Sequence, residues 1–435
     1  MSTVERRAVA ESTGGGHRFG WVEKTAGQIS LSQTGDDPTG GHGGAVSGWI
    51  TPATRRPIIA PSALIYLDYN RTTPVASSVI DAMKPFWATH YLLPGQEHPE
   101  AQAVGDALEL AREQIAGLVG CDSFELVFTS GGTEANNLAI LGGLDLRQPG
   151  HVLISPLESD PVVAAAEHLR RNGFEVETIA VGADGVVDPD DVVNALRPET
   201  HLVCVQLANP ILGTVQPVAE IGKLCRDRGV RLHCDATQSL GKIPVSIHSM
   251  PVDTLAISGH KFFGPKGVGA IYVRRGQPLH PIQHGEPREM GLRPGSENVP
   301  GCVGMGAAAV MATRCAAEAE LGLKDMRDEL LCGLTSVIDP SPTVLCEDTP
   351  RLPNTAAIEL PVDVACLRQA ARQLVVATAR SQHPADEMTR ALQAIGRTPA
   401  QIGRTVHISL GWATTRDEVR KAIDLFADAF ETTRS

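Results

Sequence analysis

From Thr254 to Arg275 the chain reads TLAISGHKFFGPKGVGAIYVRR. Two apolar runs of strand length, TLAIS and GAIYV, flank a glycine-containing turn that carries Lys261 and Lys266. Lys261 comes directly after the first run, behind Ser258, Gly259 and His260. A flexible amine therefore stands at the carboxyl end of a strand, where open α/β sheets bind their ligands. Lys266 follows Gly264 and Pro265 in the turn and reads as a solvated surface lysine.

Outward from this stretch the same rhythm recurs. ELVFTS, HVLISP, FEVETIAV, THLVCVQLANP and VRLHCDA are short apolar runs, separated by longer segments of helical period such as EAQAVGDALELAREQIAGLVG. That alternation predicts an α/β fold, a mainly parallel sheet sandwiched by helices. After about residue 305 long helical segments precede short strands and a last helix, TTRDEVRKAIDLFADAFETT, which predicts a smaller C-terminal α+β domain over 306–435. The large domain is expected over 63–305, its first residues joining the small one. Residues 1–62, polar and glycine-rich without helical or strand period, read as a largely disordered extension.

Composition narrows the partners. A chain of 435 residues, 42% hydrophobic, is long enough for one large core or two moderate ones. A formal net charge of -12 argues against a broad grip on nucleic acid or anionic lipid. No run approaches the ~18 apolar residues of a membrane span, and no secretory signal is recognisable. The expectation is a cytoplasmic protein with a small-molecule partner, with organelle targeting by the extension as the alternative. Nine scattered cysteines lack paired metal-binding spacing and read mainly as reduced core residues; no metal site is expected.

Three motifs follow strands. In TSGGTEANNLAI, Gly132 and Thr133 open a helix whose N–H groups could cradle a phosphate. In HCDATQS, Asp235 ends a strand and Gln238 follows it. In LAISGHK, Ser258 and His260 precede Lys261. A phosphate cradle, a carboxylate for a pyridinium nitrogen and a lysine for an aldehyde together suit one cofactor, pyridoxal 5'-phosphate (PLP). A nucleotide-binding module is the weaker reading, because no Gly-Lys-Ser/Thr ending follows the glycines.

With these motifs in view, the chain resembles the cysteine desulfurase and selenocysteine lyase family of class V aminotransferase-like enzymes. The resemblance rests on YLDYNRTTP, LVFTSGGTEANNLAI, DATQSLGKIPV, ISGHKFFGPKGVGAIYVRR, RPGSEN, RLPNT and ISLGWATTRDEV, spanning roughly residues 64 to 430. It implies the fold-type I architecture, with a seven-stranded-type sheet. It also implies Lys261 as the lysine bonded to PLP, Asp235 on the pyridine nitrogen, Gln238 near the ring oxygen, and Thr133, Ser258 and His260 on the phosphate. Asn209 would contact cofactor and substrate. Ser296 in RPGSEN would reach the phosphate of a second subunit, implying a homodimer, and a sulfur or selenium acceptor protein is a further implied partner.

The departures from the family pattern lie on the substrate side. Ser159 in LESDPVV stands where the family has a ring-stacking His, and Pro210 replaces the second of two Asn. His407 stands at the carboxylate-binding Arg, with Arg404 three residues earlier as a candidate substitute. The loop that should hold a persulfide-forming Cys lies within VVATARSQHPADEMTRALQAIG, with Gln382 or His383 near that position and no cysteine. Three readings follow: a C–S or C–Se lyase working by β-elimination, a PLP-binding pseudoenzyme or regulatory partner of an active paralogue, and a different class V aminotransferase or lyase.

Overall fold

The computed structural model describes residues 64–365, 367, 372–379 and 386–434. Among the described residues the strands, in chain order, are β1 (Ile65–Tyr66), β2 (Leu126–Thr129), β3 (His151–Ile154), β4 (Glu175–Thr178), β5 (Thr200–Cys204), β6 (Arg231–Asp235), β7 (Thr254–Ser258), β8 (Gly269–Val273), β9 (Thr343–Val344), β10 (Thr355–Glu359), β11 (Leu374–Val375), β12 (Ala377–Thr378) and β13 (Thr405–Ser409).

A seven-stranded sheet runs in the order β2-β8-β7-β6-β5-β3-β4. β4, β3, β5, β6 and β7 are parallel to one another, whereas β8 is antiparallel to both β7 and β2. The expected mainly parallel α/β sheet is thus the observed one. Its central strands β3, β5, β6 and β7 are buried along almost their whole length, which explains why they read as continuous apolar runs rather than alternating ones. The outer strand β4 is exposed and carries Glu175 and Glu177, both paired with Arg197. Such charges discourage edge-to-edge pairing with another chain.

The chain passes from β3 out to β4 and then back across β3 to β5. The order of connection therefore reverses beside β3, and the carboxyl ends of β3, β5, β6 and β7 open on one crevice.

A second, antiparallel sheet has the order β12-β13-β10-β9, and β1 pairs in parallel with β11. Ile65 and Leu67 accordingly pack in a cluster with Leu334, Ile358, Val406 and Phe426, separate from the main-sheet core around Leu232, Leu255 and Ile257. The helix Val299–Val337 serves both: Met305, Ala308 and Ala312 face the first core, Leu323, Leu330 and Leu334 the second. The boundary read at about residue 305 falls inside it. No single helix among the described residues is long and apolar enough to cross a membrane.

The turn after Lys261 is tied to the C-terminal region. Phe263 has φ +66°, a conformation that costs a non-glycine residue about 1–3 kcal/mol. Its N–H donates to Thr73 Oγ1 at 2.8 Å and its ring stacks on Trp412 at 4.6 Å, contacts that offset the strain.

Candidate active site

A cavity of about 590 Å³ opens at the carboxyl ends of these strands. Gly132, Thr133, Asp235, Gln238, Ser258, His260, Lys261 and His407 all line it. So do Ser159 and Pro210, while Asn209, Ser296 and Arg404 do not.

One end is built for an anion. Gly131, at φ +151° and ψ -176°, occupies a region open essentially to glycine alone, and it turns β2 into the helix Gly132–Leu141. A Cβ on Gly269 would lie 2.6 Å from Gly131 Cα, so this turn sits directly against β8. The first-turn N–H groups of the helix have no intrahelical acceptor and carry the positive end of its dipole. Ser258 and His260 approach from β7. Thr72 Oγ1 lies 3.0 Å from His260 Nδ1, and burial pushes the His260 pKa down to about 4, so the ring is neutral near pH 7.

Asp235 is held by three donors. Thr237 N–H reaches Oδ1 at 2.9 Å, while Asn136 Nδ2 at 2.9 Å and Ser159 Oγ at 2.7 Å both reach Oδ2. His233, two residues earlier and so on the same face of β6, sets the Asn136 amide by contacting its Oδ1 through Nε2 at 2.7 Å. Burial lowers the His233 pKa to about 4. The neutral ring donates from Nε2 and accepts at Nδ1 from Thr254 Oγ1, 2.9 Å away.

Lys261 Nζ donates to the carbonyls of Asn70 at 2.6 Å and Arg71 at 3.2 Å. Burial lowers its pKa, while Glu387 and Asp235 pull the other way. Asn70 is a junction: its carbonyl also accepts from Gln238 Nε2 at 3.0 Å, and its side-chain amide reaches the Pro210 carbonyl and Thr355 Oγ1, each at 2.8 Å. Behind it Lys242, also buried, donates to the Gln238 carbonyl and Oε1, and burial holds its pKa well below the ordinary lysine value. Lys266 is exposed and lies outside the cavity.

Two sequence expectations fail to reach the cavity. Asn209 spends its side chain on the local turn, accepting from the Ile211 and Leu212 N–H groups at 2.9 and 2.8 Å and donating to Leu157. Arg404 is exposed just before β13. Ser296, expected at the cavity of a second subunit rather than its own, is exposed on the loop before the helix Val299–Val337. Gln382 and His383 lie outside the described residues. Conversely, Asp68, Asn70, Arg71, Asn136, Asp160 and Glu387 line the cavity without having been singled out. Burial raises the Asp68 pKa to about 6 and the Glu387 pKa to about 7. Only Asn136 carried a local signal, four residues after Gly132 and so one helical turn along.

A crevice at the strand reversal, with a lysine after one strand, a carboxylate at the end of its neighbour and an anion cradle opposite, defines a fold-type I PLP enzyme. The sequence profile of the aminotransferase class-V family matches residues 65–421. The chain is 39% identical over 375 residues to the cysteine desulfurase IscS of Anaeromyxobacter dehalogenans, covering 84% of this chain and 92% of that protein. Among solved structures, a NifS-like protein aligns with TM-score 0.79 at 29% identity, over 85% of this chain and 99% of the other. A second, titled "SspA in complex with cysteine", aligns with TM-score 0.71 at 32% identity, over 79% and 98%. The chain therefore belongs to the cysteine desulfurase family of class V, PLP-dependent enzymes.

The donor set fits that cofactor. A helix N-terminus with Thr133, Ser258 and His260 suits a phosphate ester, an Asp235 carboxylate held by three donors suits a pyridinium N–H, and a half-buried Lys261 suits an aldehyde.

Proposed function

We propose that the protein breaks the C–S or C–Se bond of a small amino acid, cysteine or selenocysteine, by β-elimination. The observation that carries this reading is a cavity with Lys261 and Asp235 but without a thiol: none of the eight described cysteines lines it, and residues 375–396 contain none. Burial pushes the thiols of Cys121, Cys225 and Cys346 up, to about 12, 12 and 11, and those of Cys204 and Cys234 well above their ordinary value. Such thiols are poor nucleophiles for a sulfur transfer.

When bound, PLP supplies an electron sink for the bonds at the substrate α-carbon. Thr133, Ser258 and His260 would hold its phosphate, Gln238 would serve its ring oxygen, and Asp235 would keep its ring nitrogen protonated. The Lys261 amine, with its pKa lowered by burial, takes the α-proton. The electron pair left behind expels thiolate or selenolate from Cβ. With one water consumed, cysteine yields pyruvate, ammonia and sulfide, and no oxidant or reductant is needed. We propose a homodimer in which the exposed Ser296 of one copy completes the cavity of the other, and the cytoplasm as the compartment.

The test is to incubate the PLP-loaded protein with cysteine and with selenocysteine and to quantify products. Pyruvate with sulfide or selenide is the expected result; alanine, or a persulfide on any cysteine, overturns it and restores transfer to an acceptor protein. A second reading, a PLP-binding regulatory partner, draws on Ser159, Pro210 and His407 all facing the cavity in place of the family's residues. No turnover of any amino acid, with PLP firmly bound, would favour it.

A further inference from the structure

The cavity has to hold the carboxylate of an amino acid, and His407 is unsuited to do so. Its Nδ1 lies 3.0 Å from the Ile211 carbonyl oxygen, which can only accept, so the proton of the neutral ring is on Nδ1. Nε2 is then a bare lone pair. That atom is buried and has no hydrogen-bond partner among the described residues, and the whole residue is 1% exposed. A carboxylate brought against it would place two acceptors face to face. Protonation to relieve this is disfavoured, since burial, together with Lys242 and Lys261, holds the ring pKa at about 4.

Arg71 offers what His407 lacks. It is the single arginine among the described lining residues; its guanidinium makes no hydrogen bond or close ion pair among them, though its charge is felt by Asp68 and Lys261. Its backbone carbonyl lies 3.2 Å from Lys261 Nζ, so its side chain springs from beside the reacting amine. The nearby Arg390 is already engaged by Asp160 Oδ1 at 2.8 Å and by the Glu158 carbonyl. Of the other cavity cations, Lys261 is committed to the cofactor. The acids on the wall do not offset this in full: Asp235 is committed to the ring nitrogen and Asp160 to Arg390, and burial raises Glu387 to about 7, which leaves Asp68, at about 6 and under the influence of the Arg71 charge, as the one ionised acid beside the guanidinium.

We propose that Arg71 holds the substrate carboxylate through its guanidinium, and that His407 Nε2 instead accepts a hydrogen bond from a donor group of the ligand. Arg71 then becomes the specificity-determining residue of this chain, displaced by the whole length of the domain from the arginine position that the family pattern uses. The assignment rests on the reading of the cavity as an amino-acid site.

The test is equilibrium binding, independent of turnover. The full-length, PLP-loaded protein is titrated calorimetrically with L-alanine and with L-alaninamide, which differ in the carboxylate alone. Arg71→Gln is expected to weaken L-alanine about ten- to hundredfold, the worth of a charge-assisted hydrogen bond, and to leave L-alaninamide within about twofold. Arg71→Lys should fall between, because an ammonium supplies charge without the planar fork. An unchanged ratio of the two affinities in Arg71→Gln, or a selective loss of L-alanine in His407→Asn instead, overturns the assignment while leaving the amino-acid reading intact. Failure of the wild-type protein to bind either ligand overturns that reading, and the assignment with it. Arg71 is exposed, and the cofactor absorbance of each variant verifies that its site is formed.

Discussion

Ser159 Oγ donates to Asp235 Oδ2 at 2.7 Å across 76 residues of sequence. The residue that replaces an aromatic ring in the family pattern has thus become part of the support of the carboxylate beneath the ring nitrogen. Asp235→Asn should cost on the order of a hundredfold or more in turnover, since the positive charge on the ring nitrogen loses its counter-ion. Ser159→Ala leaves Asn136 and Thr237 in place and should cost about 1 kcal/mol, a severalfold loss. Steady-state pyruvate formation by the two variants checks the order; equal losses would sink the distinction.

The two lysines of the opening stretch should behave oppositely. Reduction of the PLP-loaded protein with borohydride, followed by peptide mass analysis, should mark Lys261 and leave Lys266 unmodified. Lys261→Ala should abolish turnover, whereas Lys266→Ala, at an exposed turn, should shift stability by no more than about 0.5 kcal/mol. A cofactor adduct on Lys266 or on the buried Lys242 would refute the assignment.

Gly131→Ala forces a side chain into φ +151°. The added Cβ meets no atom within 4 Å, so the penalty is one of backbone conformation, about 1–3 kcal/mol. Urea denaturation should show a lower midpoint with an unchanged slope, and PLP should be held more weakly because the anion-binding turn is displaced. A normal midpoint would show that the turn relaxes freely.

His407 gives a pH signature whose sign is fixed by its depressed pKa. The unfolded ring titrates near 6.5 and the folded one at about 4, so the unfolded chain binds more protons in between. The stabilisation is complete above about pH 6.5 and is lost as the pH falls toward 4. At pH 5 the loss is on the order of 2 kcal/mol relative to pH 8. Asp68 and Glu387, with raised pKa values of about 6 and 7, act in the opposite direction, favouring the fold as the pH falls through those values. The contribution of His407 is therefore read as a difference. His407→Asn should lose less stability than the wild type between pH 8 and pH 5, and parallel curves would contradict the assignment of a neutral buried ring.

Much of the fold was legible in the chain because strand runs, turn glycines and helical periods are local properties. The apolar runs around HVLI, THLVC, RLHCD and TLAIS became β3, β5, β6 and β7, and the order of motifs placed Gly132, Asp235 and Lys261 at strand ends facing one crevice. Asn209 and Arg404 read as site residues by their position in a motif, yet a one-sided turn and an exposed approach to β13 carry them away from the cavity.

The sequence by itself determined the cofactor chemistry: a lysine, a carboxylate and a phosphate-binding turn, each set at a strand end by short-range pattern. Only the tertiary structure decided what faces the substrate. The Asn136 link between His233 and Asp235, the Asn70 junction under Lys261, and the meeting of Arg71, Glu387 and His407 around one cavity join residues separated by up to more than three hundred positions. The proton position on His407 likewise depends on a carbonyl 196 residues away. Such relations arise from side-chain packing and hydrogen-bond satisfaction in the assembled chain, which no local spacing encodes.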